Sequence, residues 1–343
     1  MKHKLYKLTA ALLLALLLVS AASAAGGDGT AENPYIIQTP AELQSMQNDL
    51  SAYYVLANDI DMSGFDFVPI GSSSSNPATT AFHGSLDGNG HTISNLNIDL
   101  PGTQYVGLFS VITAGKTIKN LKFADCTISG AANTAVLIGR CIGISGVSSQ
   151  VTIDNIDMSD CTVTSSGNYV GNVAGAFATS TMGVVSNCDI SSCTVTSSGN
   201  AVGNVAGFVA YGASNVQIRY CTVENCVAES TSGPTVGNVA GFVANGASSL
   251  GWVKNCHVEN CISTSGNYVG NVAGYVANGA GNGNISDCTV ENCTVKARSS
   301  YAGGIAGCSY ASGFASIENC AVSNTTVLAS SYAGGICSTF TRA

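Results

Sequence analysis

Charge is the scarcest property of this chain. Only 9% of its 343 residues are Asp, Glu, Lys or Arg, against about 25% in an ordinary soluble domain. A disordered segment would combine high charge with low hydrophobicity, and here 45% of residues are hydrophobic. The balance of 12 basic against 20 acidic residues argues against nucleic acid and anionic membranes as partners. After residue 24 no apolar run is long enough to cross a bilayer. Leu, Glu and Lys, the usual helix formers, are thin in the body of the chain, and no 3.6-residue periodicity replaces them. Glycine (40 residues), Ser, Thr, Asn, Ala and Val fill the space instead. That composition suits a packed, sheet-rich material.

The first residues read as an export signal. "MKHKLYK" is basic, "LTAALLLALLLVSAASA" is apolar, and Ala22-Ser23-Ala24 has the small-x-small form of a cleavage site. A retained membrane anchor is the rival reading, but the apolar core is short for a span. Cleavage removes Lys2, Lys4 and Lys7 and takes the net charge from −8 to −11. The expected location is extracellular, in or on the cell envelope, with no membrane span left in the mature chain.

One phrase recurs: "NYVGNVAGAFA" from Asn168, "NAVGNVAGFVA" from Asn200, "PTVGNVAGFVA" from Pro234 and "NYVGNVAGYVA" from Asn267. Units aligned on it begin at Tyr105, Thr134, Tyr169, Ala201, Thr235, Tyr268, Tyr301 and Tyr332, in steps of 29, 35, 32, 34, 33, 33 and 31 residues. Such a period signals a solenoid, and short β-branched runs broken by Gly and Asn make it a β one. In the unit from Tyr268 the pattern predicts strands at 269–276, 285–290 and 293–296, a loop at 278–284 and a bend at Glu291-Asn292. The expected fold is all-β: a parallel β-helix or β-solenoid of stacked β-arches, in coils of about 30–35 residues. A single coil cannot bury its apolar face alone, so the phrase must repeat.

Equivalent residues then stack into ladders. Asn225, Asn260, Asn292 and Asn324 are assigned to one bend; Asn187, Asn255 and Asn319 to a second; Asn172, Asn204, Asn238 and Asn271 to a third. Asn tolerates the left-handed backbone of bends and bonds along a stack. In the phrase itself, Val205, Gly207 and Val209 alternate with Ala206, Phe208 and Ala210. Neither face is polar, so both faces should pack against something, either loops of the same chain or a neighbouring subunit.

"VGNVAGFV" followed by "VKNCHVENC" resembles the GLUG-type repeat, in which a V-G-G-[LIV]-[AV]-G phrase precedes an I-x-N-C strand. "YAGGIAG" at Tyr301 matches most closely, and the four VGNVAG copies depart by placing Asn at the second glycine. "NPYIIQTPAELQSMQNDLSAYYVLANDIDMSG" and "FHGSLDGNGHTISNLNID" also resemble the opening of such proteins. The resemblance spans nearly all of the chain after the leader. It implies a right-handed β-helix-like architecture in secreted surface proteins of bacteria and archaea, methanogens in particular, and implies no activity. A chain this short, Cys-rich and repetitive is similar to an envelope building block such as a methanogen sheath protein.

The two ends differ. Thr39, Pro40 and Glu42 form an N-cap, N1 and N3 capping box, and "AELQSMQNDL" sets Leu43, Met46 and Leu50 on one side. This predicts a short helix capping the first coil's edge. At the other end the last unit stops near its first strand, which reads as an open edge that can join subunits. The organisation expected is a leader at 1–24, a cap with first strands at 25–104, and solenoid repeats at 105–343, the last two in one continuous domain.

Most of the 14 cysteines follow one rule. Cys188/Cys193, Cys221/Cys226, Cys256/Cys261 and Cys288/Cys293 are C-x4-C pairs at matching places. Cys126 and Cys161 extend the second column and Cys320 the first. Metal binding fits poorly, because the spacing is not a C-x2-C knuckle and no His column accompanies it. Buried thiol ladders and disulfides both fit. The adopted reading is buried ladders, with disulfide cross-links at the off-column Cys141, Cys308 and Cys337.

No catalytic set emerges. Glu224, Glu259 and Glu291 recur once per coil, as a solvated stripe would. Asp154, Asp157 and Asp160 have no Lys or Arg near them in sequence. Asp59, Asp61, Asp66 and Asp87 read as turn formers before they read as Ca²⁺ ligands, and His83, His91 and His257 pair with no nucleophile. Paired Thr162/Thr164 and Thr194/Thr196 suggest an ice-binding array, but later coils break it. Sequons at Asn284, Asn292 and Asn324 mark places for glycans. No cofactor is expected. The reading is a structural, non-enzymatic protein that self-assembles through open β edges and Ala/Gly-rich faces into a sheath, layer or fibre, with itself and other envelope components as partners. An adhesin-like surface protein is the alternative.

Overall fold

A computed structural model describes residues 26–72, 77–113, 115–143, 150–178, 181–211, 214–245, 248–279, 281–311 and 314–342. The leader expected at 1–24 lies outside them. The chain winds into a β-solenoid whose strands pair in parallel, each with its counterpart one coil away. Among the described residues one sheet has 17 strands, two have eight and one has four. In both eight-stranded sheets the spatial order follows the chain order, so each coil adds one rung, about 4.8 Å along the axis.

The coil from Tyr268 shows how the sequence makes a rung. Its strands are Tyr268–Gly270, Ala273–Gly279, Asn282–Ser286, Thr289–Glu291 and Thr294–Ala297. The expected first strand is thus broken near Asn271, whose side chain turns inward. The second is broken at Asp287, which holds φ at 55°. Most of the expected loop is strand, because Asn278 pairs with Asn245 and the 282–284 stretch pairs with 250–252.

Left-handed residues make the corners. Asn225, Asn260, Asn292 and Asn324 have φ of 55°, 53°, 53° and 45°, and Asn187, Asn255 and Asn319 have 54°, 52° and 52°. Asn adopts this conformation more readily than most side chains because its short amide bonds locally. Several corner side chains reach one coil back, usually to a carboxylate. Asn187 Nδ2 donates to Asp154 at 2.7 Å, Asn319 Nδ2 to Asp287 at 3.2 Å and Asn292 Nδ2 to Glu259 at 3.3 Å. The third group, Asn172, Asn204, Asn238 and Asn271, is not a left-handed corner. All four are fully buried.

The N-terminal helix is Pro40–Ser45, continued by a 3-10 turn at Met46–Asn48. Both halves of the capping box are made: Glu42 N donates to Thr39 Oγ1 at 3.2 Å, and Thr39 N donates to Glu42 Oε2 at 3.0 Å. The helix lies between two parallel partners, Tyr35–Ile37 and Tyr53–Leu56, and sinks Leu43 and Met46 into the core. Gln44 holds the backbone of Val68 in both directions, at 3.1 and 2.8 Å. A second helix, Pro77–Thr80, was not expected. Replacing Thr39 by Ala should cost about 1 kcal/mol, read as a lowered denaturation midpoint; an unchanged midpoint would show that the helix is not needed for the first coil.

The early strands share sheets with the repeats. Thr117–Ala124 pairs with Ser85–Asp87 and Thr92–Ser94 on one side and with Gln150–Ser159 on the other. One continuous apolar core runs from Ile37 to Ala306.

Candidate functional site

The repeated phrase is where the packing is tightest. A Cβ on Gly207, Gly241, Gly274 or Gly307 would lie 2.3, 2.4, 2.5 or 2.3 Å from the backbone nitrogen of Val170, Val202, Val236 or Val269. Each of those nitrogens belongs to the phrase opening one coil earlier. A Cβ on Gly203, Gly237 or Gly270 would meet the carbonyl three residues ahead at 2.5, 2.4 or 2.3 Å. Glycine is required here by the close approach of two backbones. The opening segment of each coil lies against the sheet, so the chain covers its own Ala/Gly-rich strand. Val205 and Val209 join the main core, and Phe208 joins a second cluster with Ala176, Ala201, Phe242, Tyr275 and Cys308, packed by Tyr169 and Tyr268. Both faces of the strand are therefore filled from within, which removes them as surfaces for a neighbour.

Behind the phrase runs the buried Asn column. Asn172 Nδ2 donates to Asn204 Oδ1 at 3.0 Å, Asn204 Nδ2 to Asn238 Oδ1 at 2.8 Å and Asn238 Nδ2 to Asn271 Oδ1 at 3.1 Å. Ser263 ties the column to the next sheet, accepting from Asn238 Nδ2 at 2.8 Å and donating to Asn271 Oδ1 at 3.3 Å. Two atoms are left over, Asn172 Oδ1 and Asn271 Nδ2, one at each end of the column.

The cysteines stand in two columns, each just past a left-handed corner. In one, the backbone N–H groups of Cys161, Cys193, Cys226 and Cys261 point at the sulfurs of Cys193, Cys226, Cys261 and Cys293, at 3.4, 3.3, 3.3 and 3.4 Å; Cys126 begins it. In the other, Cys188, Cys221, Cys256, Cys288 and Cys320 each donate to the carbonyl two residues back, at 3.2 to 3.4 Å. Among the described residues no two cysteines are joined in a disulfide. Cys141 and Cys308 are fully buried, and burial pushes the Cys141 thiol well up. Neither can reach a second chain from there. Cys320 and Cys337 are the two only partly buried. The Cys320 thiol is raised by hydrogen bonding to Cys288 and by burial, and the Cys337 thiol by burial.

The carboxylates are mostly engaged in turns and cross-coil contacts. Asp59 lies below the usual range because it accepts from Thr92 N and from His91, and Asp61 because it accepts from Ser63 and Asn95. Asp87 takes Asn89 N at 2.9 Å, Asn120 at 3.0 Å and Lys119 at 3.1 Å, while Asp66 is exposed. Asp154 accepts from Ser186 and Asn187, and Asp157 pairs with Lys122 at 3.4 Å. That lysine is distant in sequence and adjacent in the stack. Glu224, Glu259 and Glu291 do stack in register. Among the described residues no cluster of His, Cys, Asp and Glu is arranged to hold a metal ion, and no helix is long and apolar enough to cross a membrane.

The coil at Ala315–Arg342 differs from the rest. Ile317, Val322 and Val327 are half-exposed, whereas their in-register partners Ile285, Val290 and Val295 are fully buried. Phe314, Leu328, Tyr332 and Ile336 are exposed. Among the described residues Ala315–Glu318, Ala321–Ser323, Thr326–Leu328 and Tyr332–Gly334 pair on one side only. Sequence reasoning missed the aromatic columns that run toward this coil. Phe208, Phe242 and Tyr275 stack at 5.0 and 4.7 Å, and Tyr268, Tyr301 and Tyr332 at 5.3 and 5.0 Å. Their signal was present as an aromatic at a fixed place in several units.

Fold and ladders together define a parallel β-solenoid whose repeated residues serve coil-to-coil packing. No protein-family model matches the chain, so the GLUG-type resemblance rests on the quoted stretches of sequence alone. The chain is 35% identical over 141 residues to Halomucin of Haloquadratum walsbyi, a match covering 37% of this chain and 2% of that protein. It is 33% identical over 141 residues to an Evansella cellulosilytica protein provisionally named a Gly-rich membrane protein, covering 38% of this chain and 15% of that one. The matches thus span a small part of either relative. A solved structure from Bacteroides ovatus, provisionally described as an immunoglobulin A1 protease, aligns over 91% of this chain and 85% of its own with a TM-score of 0.43 and 18% identity.

Proposed function

We propose that the protein is a structural component of the cell exterior that polymerises coil on coil into a sheath, layer or fibre. The observation that carries this is the coil at Ala315–Arg342, whose core-side residues Ile317, Val322 and Val327 are half-exposed and whose first four strands pair on one side only among the described residues. A parallel rung seated there would bury Ile317, Val322 and Val327 as their predecessors are buried, and would satisfy a row of open backbone groups. A second copy of the chain is the occupant proposed. Two features support a place outside the cell: the surface is short of charge, and the relatives carry the names of a mucin and a membrane protein. Cys320 and Cys337, near the open coil, are the thiols placed to cross-link successive copies in an oxidising medium.

Electron microscopy of the purified protein, with and without reductant, tests the reading. Ordered fibres, rings or sheets are expected, loosened by reductant and abolished by Val327→Lys, which sets a charge into the stacking face. A monodisperse monomer at high concentration, or assemblies indifferent to Val327→Lys, would remove the proposal.

A further inference from the structure

In a molecule built by repetition, residues that break a column without a packing reason deserve a separate explanation. Three such breaks meet on the outer face of the long sheet. The chain has one tryptophan, Trp252, and it faces outward from Leu250–Lys254 with Val253 buried beneath. Its column reads Thr152, Val184, Gln217, Trp252, Asn284, Ser316. At the neighbouring corner every coil from Asn120 to Asn319 places Asn or Asp in the left-handed conformation, except one. There Tyr220 takes it, at φ 55° and 52% exposed. A bulky residue gains nothing from that backbone.

The third break is electrostatic. The column beside the corner reads Lys119, Asp154, Ser186, Arg219, Lys254, Ser286, Glu318. Arg219 and Lys254 are thus cations on adjacent rungs, about 4.8 Å apart along the stack. Asp154 and Glu318 are each two rungs away from the nearer cation, roughly the screening length in salt. Among the described residues Lys119, Lys122 and Arg298 have carboxylate partners. Among those residues neither Arg219 nor Lys254 has an ion-pair partner, and Arg219 Nε is enclosed with no hydrogen-bond partner. Like charges directly opposite on adjacent strands repel, and an anion bound between them relieves that repulsion.

The geometry points to a binding face for a carboxylated polysaccharide, a polyuronate, made by Trp252, Tyr220, Gln217, Arg219, Lys254 and Asn284. The indole face carries partial negative charge and stacks on the C–H groups of a sugar ring. Arg219 presents a planar fork to the ring's carboxylate, and Lys254 adds a point charge. Gln217 and Asn284 flank Trp252 in register and supply amide donors and acceptors for hydroxyls. The face is an open sheet surface running across coils, which suits an extended chain. A nucleic acid duplex, with one charge per about 1.7 Å of its axis, would be repelled by the net charge of −8, whereas a polyuronate brings one charge per sugar ring. This face is separate from the polymerising coil, so one protein would both build a layer and hold a glycan on it.

The repeat supplies fold-neutral variants, because adjacent coils already use other residues. Trp252→Asn copies Asn284, Arg219→Ser and Lys254→Ser copy Ser186 and Ser286, and Tyr220→Asn copies Asn187. Titration of the purified protein with oligogalacturonate, followed by the fluorescence of its single tryptophan, should give a saturable change. Neutral dextran should give none. By calorimetry, Trp252→Asn and the Arg219→Ser/Lys254→Ser double variant should each weaken binding tenfold or more, while Lys296→Thr, on another sheet, should not. Absence of saturable binding, an equal response to dextran, or binding that needs the cations and ignores Trp252 would each overturn the assignment.

Discussion

A valine at Gly241 is expected to leave almost no folded protein. The added Cβ would sit 2.4 Å from Val202 N, 2.5 Å from Ala201 C and 2.7 Å from Ala201 Cα, and all three are backbone atoms in the coil before. A flexible side chain moves aside at little cost, but a rung of the solenoid cannot. It is hydrogen-bonded above and below, as where Gly203 N donates to Val170 O and Gly237 N to Val202 O. Overpacking alone costs about 1–3 kcal/mol, and displacing the covering segment adds to it, so a loss of about 4 kcal/mol or more is expected. Soluble yield and far-ultraviolet circular dichroism report it. The comparison variant is Gly102→Ala, where nothing lies within 4 Å of the new Cβ and stability should stay within about 0.5 kcal/mol. If both glycines tolerate substitution equally, the covering segment does not lie where the structure places it.

The second large effect is expected in the buried Asn column and should depend on position. Asn238→Leu removes the acceptor of Asn204 Nδ2 and one donor to Asn271 Oδ1, and it releases Ser263. Each buried group left unsatisfied costs about 1–3 kcal/mol, so a loss of about 2–5 kcal/mol follows. Asn172→Leu breaks one bond and also deletes an oxygen that already lacks a partner. The equivalent place one coil earlier holds Val136, fully buried, so an apolar residue is known to fit, and a cost under about 1 kcal/mol is expected. Denaturation midpoints for the two variants decide the matter. Equal losses would mean that the column acts by shape alone and its hydrogen bonds contribute little.

The sequence made the coil legible because the coil is its own repeat. The spacing of the phrase set the rung, the C-x4-C pairs set two corners, and the Thr39/Glu42 box set the start of the helix, all from local chemistry. What stayed hidden depends on register between residues about one period apart, with a period that drifts from 29 to 35. Lys122 and Asp157 could not be matched without knowing which rung meets which. The buried Asn column was read as a bend because both kinds of Asn repeat at the same interval. Their flanks distinguish them: Asn in "VGNVAG" sits among Gly and Val, whereas Asn in "VENC" sits between an acid and a cysteine. The covering of the phrase by its own chain had a signal too, since two glycines at every repeat exceed what turns require. The open face around Trp252 gave none, because a single departure in a periodic sequence looks like drift until neighbouring rungs are aligned.

The same Asn column gives the solenoid a direction that its few charges do not. Every amide donates toward the later coil, so the four side-chain dipoles add instead of cancelling, as peptide dipoles add along a helix. The sum leaves partial negative charge at Asn172 Oδ1 and partial positive charge at Asn271 Nδ2, both screened from water. Copies stacked end to end in the same sense would place these columns head to tail, and a reversed copy would set like poles together. If copies stack as proposed, the resulting filament should therefore be polar, with two distinguishable ends.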